Sequence, residues 1–229
     1  MHNNRTPKFS LKALFVAGIL LPFSVMAAGT ALIKTDEDVA KISWKDAETA
    51  LLQQEGEDDS IIIRDSKAYM ITQQGGKPMV MDLSEMTELL MAFVDDETIQ
   101  AEIPTGIEKI KATGESKTIA GVKGDVYEAT IKTANGETED VTLVLTNDKT
   151  VAELTEVYTY VLTTLLKFDG IEQVLADLPK DHKGVLALDE TYVIQEIDGA
   201  TPKDDLFELP AKPVGLQDML QELQGLFDD

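Results

Sequence analysis

The sequence predicts an α+β fold built on an antiparallel β-sheet. Three observations favour this class. Short apolar alternations of period two indicate strands, turn-forming sequences join neighbouring strands closely, and other segments change to a helical spacing of three and four. Because such short links cannot make a parallel crossover, neighbouring strands are expected to run antiparallel.

The N-terminal residues 1–27 have the three-part layout of a secretory signal peptide. Basic residues come first, an apolar run from Ala13 to Phe23 follows, and small residues lead to the predicted cleavage site after Ala27. The run is about half as long as the roughly 20 residues that a bilayer crossing needs. No cysteine follows it that could carry a lipid. We therefore expect export to the periplasm without a lipid anchor, and a single domain over 28–229.

The composition restricts the expected partners. The chain has 20 basic and 42 acidic residues and a formal net charge of −22 at pH 7, and it contains no cysteine. This charge repels nucleic acid and anionic lipid head groups. The acidic residues are spread along the chain and do not form a calcium-binding loop, so we interpret them as a solvated surface.

The first predicted strands follow a polar segment from Ala28 to about Val39. Apolar residues separated by one position mark each strand, and acidic or glycine-containing turns separate the strands. Gly75 and Gly76 can supply the positive φ of a tight hairpin turn. The apolar pairs are Ile42 and Trp44, Ile61 and Ile63, Tyr69 and Ile71, and Met79 and Met81.

A helix is predicted after these strands, and Asp82 with Glu85 has the form of a capping box at its start. Residues 102–117 are expected to be irregular because Pro104, Gly106 and Gly114 interrupt them. The apolar positions of the helix recur at three and four: Leu83, Met86, Leu89, Leu90, Phe93 and Val94.

The strongest hairpin signal is Asn135-Gly136, which lies between the alternating runs 125–131 and 141–145. Both residues tolerate positive φ, so a type I′ turn is predicted. Gly121 and Gly124 are expected to bracket the turn that leads into the first of these runs.

The C-terminal part predicts two helices, more strands and a last helix. Residues 150–167 have a strongly apolar stripe, and Asp169 with Glu172 marks the start of a short helix that ends before Pro179. The remaining predictions are strands over 185–188, 192–197 and 206–209, and an amphipathic helix over about 214–227.

Three segments together resemble a little-studied family of envelope proteins: Ser60 to Leu83, Gly114 to Ala152, and Phe207 to Pro210. The overall shape of that family is similar to the outer-membrane lipoprotein carrier, a curved antiparallel half-barrel with helices on its concave face. The resemblance implies this fold from about Ile42 to Pro210 and, through the shape, a carrier of apolar ligands. Some members of the family have a cysteine pair where this chain has Lys123 and Gly124, so no shared redox or disulfide feature is expected.

The sequence contains no constellation typical of an enzyme. His182 is the only imidazole after residue 27, and no nucleophile turn accompanies it, so we interpret it as a solvated loop residue. A single histidine without cysteine does not favour zinc. Gly75-Gly76 joins two strands and therefore does not predict a phosphate-binding loop. We expect no enzymatic activity, no cofactor and no metal centre.

Methionine is concentrated in one stretch, at Met70, Met79, Met81, Met86 and Met91. Three interpretations stay open. The thioethers can fill a core, they can form the adaptable apolar wall of a site for a lipid-like ligand, or they can bind Cu(I).

The leading hypothesis is a non-enzymatic periplasmic carrier or binding protein for an apolar, lipid-like ligand. The alternatives are an envelope interaction module whose acidic surface docks a protein partner, and copper binding by the methionines. The candidate cavity residues are Trp44, Met70, Met79, Met81, Met86, Leu90, Met91, Tyr127, Tyr158 and Leu162.

Overall fold

The computed structural model describes residues 28–35, 38–84, 104–166 and 170–215, with the backbone alone at Leu166. Over these residues the chain forms one open antiparallel sheet of 11 strands, two α-helices and one 3₁₀ helix. The fold is therefore mostly β. The helices are α1 (Lys149–Leu166) and α2 (Ile171–Asp177), and the 3₁₀ helix is Asp204–Phe207. The strands are β1 (Gly29–Thr35), β2 (Val39–Asp46), β3 (Thr49–Gln54), β4 (Ser60–Arg64), β5 (Lys67–Gln74), β6 (Lys77–Asp82), β7 (Pro104–Ile119), β8 (Val122–Thr133), β9 (Thr138–Thr146), β10 (Gly184–Leu188) and β11 (Tyr192–Asp198).

The sheet consists of two halves that meet in its middle. Its strand order is β6-β5-β4-β3-β2-β1-β11-β10-β9-β8-β7. The N-terminal half, β1 to β6, is a meander in which each strand pairs with the next, and the C-terminal half contains β7 to β11. The two halves join where β1 pairs with β11, with Ile33 opposite Ile194. Bulges and register shifts in several of the pairs curve the sheet.

Helix α1 crosses the sheet from one half to the other. The backbone N–H of Val185 in β10 donates a hydrogen bond of 2.9 Å to the Thr155 hydroxyl. Five residues later the Tyr160 hydroxyl lies 3.3 Å from the Ser66 hydroxyl in the β4–β5 turn. The helix buries Val151, Leu154, Val157 and Val161 against the main core, so its predicted apolar stripe is its sheet-facing side.

Most of the predicted strands and both central helices are present, but three segments were misread. The segment before Val39 contains β1, in which Ala31 and Ile33 are fully buried and Thr30, Leu32 and Lys34 alternate with them on the other face. β3 was also missed. Residues 102–117 were predicted to be irregular, yet β7 begins at Pro104 and is long. β7 is an edge strand, where the missing N–H of a first-position proline breaks no ladder bond.

Two turns differ in detail from their predictions. The Asn135-Gly136 hairpin is present, but only Gly136, with φ 83°, has positive φ there, so the turn is not type I′. Thr133 N–H donates to Glu137 O across three residues, which gives a longer loop. Gly121 lies in the β7–β8 turn with Ala120, whereas Gly124 is inside β8.

The predicted strand 206–209 is wrong because this segment begins inside the 3₁₀ helix. Phe207 packs with Leu51 and Ile62 in a separate buried cluster, and its carbonyl accepts a hydrogen bond of 3.2 Å from Arg64 Nη1. The chain then reaches the outer edge of β6, where Val214 pairs with Met81 in parallel. Beyond Ser84, the predicted helix over 83–94 lies outside the described residues, as does the predicted final helix beyond Gly215.

Candidate functional site

The most distinct concave feature is an apolar cavity of about 390 Å³ in the C-terminal half. It lies between the two helices and the sheet. None of its described lining residues is charged, and most are aliphatic. The lining residues are Pro104, Ile107, Ile131, Leu143, Thr155, Tyr158, Thr159, Leu162, Ile171, Val174, Leu175, Leu178, Val185, Leu188, Thr191 and Tyr192.

Helix α2 forms one side of this cavity and is held at its C-terminal end. At its C-terminus, Lys183 Nζ donates hydrogen bonds of 2.8 and 2.9 Å to the carbonyls of Leu175 and Leu178. The Asp177 carboxylate accepts a bond of 2.9 Å from the Ile107 N–H in β7. These contacts satisfy helix-end groups and fix α2 to the edge of the sheet.

Although α2 is amphipathic, none of its residues is fully buried. Ile171, Val174 and Leu175 are partly exposed and line the cavity. In a close-packed domain the apolar side of a helix normally lies against other side chains. Here it faces empty volume instead, which is what a ligand-binding cleft requires.

The opposite wall is a side of α1 that carries threonine at every fourth position. Thr155 and Thr159 donate hydrogen bonds of 2.9 Å to the carbonyls of Val151 and Thr155 within the helix. Their polar atoms are therefore satisfied, and their methyl groups can line the cavity. Tyr158 and Leu162 lie on the same side of the helix.

Two tyrosines meet at the cavity wall. The ring centroids of Tyr158 and Tyr192 are 5.3 Å apart and the rings are tilted by 54°, a geometry that favours aromatic pairs. Burial raises the pKa of Tyr158, and burial with the neighbouring Tyr158 raises the pKa of Tyr192. Both phenols therefore stay protonated at neutral pH and can donate hydrogen bonds.

The structure brings only part of the predicted set to this cavity. Tyr158 and Leu162 line it, and Tyr127 packs in the same apolar cluster as Ile107 and Leu175 without reaching the wall. Trp44 is fully buried in the main core. Met86, Leu90 and Met91 lie outside the described residues.

The methionines Met70, Met79 and Met81 are on β5 and β6, at the far edge of the sheet from this cavity. Met70 and Met81 are cross-strand partners. Met70 lines a different pocket, which also contains the acidic residues Glu57 and Asp59. Met70, Met79 and Met81 are therefore separate from the apolar cavity.

His182 is more enclosed than a solvated loop residue would be, since its side chain is 24% exposed. Its Nε2 lies 3.0 Å from Asp125 Oδ2, and its ring meets Tyr127 edge to face. These contacts connect the loop after α2 to β8. Burial, with help from Asp125 and Asp181, raises the pKa of Tyr127.

Sequence reasoning missed most of the cavity because helical spacing alone does not distinguish a packed face from one that faces empty space. The stripe Ile171, Val174, Leu175 and Leu178 was recognised as the apolar side of a short helix. Lys183 follows α2 closely in the sequence, just after Pro179. A basic residue in this position can bind the last carbonyls of a helix, so it could have been used to predict how α2 ends.

Within the described ranges, no helix combines the length and apolarity needed to cross a bilayer. In the same part of the chain, no three acidic or histidine side chains converge in a way that could hold a metal ion. No protein-family model matches the sequence, and no significant match exists to a curated protein or to a solved structure.

Proposed function

We propose that this chain is a non-enzymatic binding or carrier protein for an apolar, lipid-like ligand, and that the ligand occupies the cavity between α1, α2 and the sheet. The observation that carries the proposal is the apolar side of α2, which lines about 390 Å³ of empty volume and has no fully buried residue. Displacing poorly held water from such a wall with an alkyl chain is favourable, by about 0.8 kcal/mol for each methylene buried.

Two further arguments support this proposal. The first is the resemblance to envelope proteins shaped like the lipoprotein carrier, whose helices lie on the concave face of a half-barrel. An open, curved antiparallel sheet crossed by α1 is compatible with that shape. The second is the signal-peptide pattern of residues 1–27, which favours the periplasm, where lipids move between membranes as cargo of soluble proteins.

The test is binding of the uncharged fluorescent probe N-phenylnaphthylamine to the full chain. We expect saturable binding with an increase in fluorescence. Leu162→Trp places a large side chain on the cavity wall and is expected to weaken binding by about tenfold or more while the protein stays folded by circular dichroism. Native mass spectrometry of protein purified from a bacterial envelope should also show a bound lipid-like molecule.

The matched control is Met70→Trp, the same enlargement at the pocket beside the methionines. It is expected to leave probe affinity within about twofold of the wild type, because that pocket is separate from the α2 cavity. If Met70→Trp weakened binding and Leu162→Trp did not, the methionine region would be the site. Absence of probe binding and of co-purified ligand would contradict the proposal.

A further inference from the structure

The cavity is large enough for an alkyl chain. A methylene group takes about the volume of a water molecule in the liquid, about 30 Å³. A cavity of about 390 Å³ therefore has space for at least one alkyl chain of about a dozen carbons.

The wall also limits the charge of the ligand. No described lining residue is acidic, basic or histidine. Two charged side chains adjoin the wall, and both are already engaged: Lys183 with the carbonyls that end α2, and Asp177 with the N–H of Ile107 and the amide of Gln173. A charged head group brought here would lose its water without gaining a counter-charge.

The cavity nevertheless offers polar groups that lack partners. Within the described residues, the hydroxyls of Tyr158 and Tyr192 make no hydrogen bond, and burial keeps both protonated. Neutral hydroxyls of this kind can donate to, or accept from, an alcohol or ester oxygen.

We propose that the preferred ligand is an amphiphile with an uncharged, oxygen-containing head group, such as a long-chain alcohol or an acyl ester. This inference rests on the proposed function, because it assigns a ligand class to the same cavity. The alkyl chain lies against the aliphatic wall of α2 and β7 to β10, and the head group meets the hydroxyls of Tyr158 and Tyr192.

The test compares ligands of one chain length with different heads. Decanol, methyl decanoate, decanoate and decyltrimethylammonium compete with N-phenylnaphthylamine for the full chain at neutral pH, below their critical micelle concentrations. We expect the two uncharged ligands to displace the probe at concentrations about tenfold or more below those of the two ions, because the ions must give up hydration in an uncharged wall. Decanoate or the ammonium ion competing as well as decanol would overturn the inference.

A positive charge placed in the wall gives a second test, because it should raise the relative affinity for the anionic ligand. Thr191 is exposed and lines the cavity, so Thr191→Lys adds a cation at its rim. We expect the affinity ratio of decanoate to decanol to rise by about threefold or more. Leu206→Lys makes the same change in net charge on an exposed residue outside the cavity wall, and it should leave this ratio as in the wild type.

The outcomes separate the two proposals. Probe binding that Leu162→Trp removes, with equal competition by charged and uncharged ligands, keeps the proposed function and refutes the head-group inference. An unchanged ratio in Thr191→Lys also counts against the inference. If the probe does not bind, both fail together.

Discussion

The two halves of the sheet differ in how fully the apolar side chains beside them are buried. In the N-terminal half, Ile33, Ile42, Trp44 and Ile63 are fully buried in the main core beneath α1. In the C-terminal half that core continues through Leu186 and Ile194, but α2 has no fully buried residue and lines a cavity. The comparison teaches that apolar composition alone does not locate a binding site, since Met70, Met79 and Met81 are in the half that the cavity does not occupy.

Among the variants that test this comparison, Trp44→Ala is expected to change stability most. Removing the indole from a filled core should lower the free energy of unfolding by about 3–5 kcal/mol. Leu162→Ala, on the partly exposed cavity wall, should lower it by only about 1 kcal/mol. Urea denaturation of both variants measures the difference, and equal losses would show that the C-terminal half is packed as tightly as the N-terminal half.

Glycine substitutions test the same contrast on the backbone. A Cβ on Gly29 would collide with the Trp44 ring and lie 2.8 Å from the Asp198 carbonyl, so Gly29→Ala should destabilise by about 1–3 kcal/mol. A Cβ on Gly106, beside α2, would lie 3.1 Å from Asp177 Oδ2. Because that side chain can move, Gly106→Ala should change stability by less than about 1 kcal/mol. Thermal unfolding of the pair is the measurement, and a larger loss for Gly106→Ala would contradict the contrast.

The attachment of α2 to the sheet is tested by Asp177→Ala. The variant loses the hydrogen bonds to the Ile107 N–H and to Gln173, at 2.9 and 2.8 Å, and should lose about 1 kcal/mol. Hydrogen exchange should increase mainly in α2 and the start of β7. Glu156→Ala, on an exposed position of α1, is the control and should leave that exchange pattern as it is.

The smallest expected effect is a pH dependence in the N-terminal half. Burial alone would raise the pKa of Asp82, but hydrogen bonds from Lys67 and from Ser84 outweigh it and hold this pKa below its usual value. A lowered folded-state pKa stabilises the protein above the unfolded pKa of about 3.9, and this contribution disappears as the pH falls through the folded value.

Asp82→Asn should therefore lower stability by about 1 kcal/mol or less at neutral pH, and the difference from the wild type should shrink below about pH 4. Urea midpoints measured across this range check the sign. Asp59→Asn, at an exposed turn position, makes the same change in side chain and serves as the control for the loss of one acidic group. A gap that grows in acid would mean that the Asp82 contacts do not favour the charged form.

The sequence predicted strands best where burial alternates and turns are short. β4, β5 and β6 were found because their apolar pairs are separated by acidic or glycine turns. β1 was missed because Leu32 lies between Ala31 and Ile33, so its apolar residues are consecutive and do not alternate with polar ones. β7 was not predicted because it contains Pro104 and Gly114, which usually indicate irregular structure. β7 is an edge strand, and an edge strand tolerates residues that an inner strand excludes.

The candidate site was predictable only where one side of a helix carried it. Tyr158 and Leu162 were identified from the stripe of α1, and they line the cavity. Ile131 and Leu143 lie on the predicted β8–β9 hairpin, but Val185 comes from β10, which only the sheet order brings beside β9, and no local pattern predicts this contact. Whether an apolar stripe meets side chains or empty volume is a property of the whole fold.

The pairing of β1 with β11 in the middle of the sheet has a consequence for folding. Each half can form most of its ladders from neighbouring strands, which need only short loops to close. The pairing of β1 with β11, in which Ile33 lies opposite Ile194, cannot form until nearly the whole chain has been synthesised. We expect this distant contact to form last and to limit the folding rate, so that the protein spends much of its early life as two unjoined meanders with open strand edges.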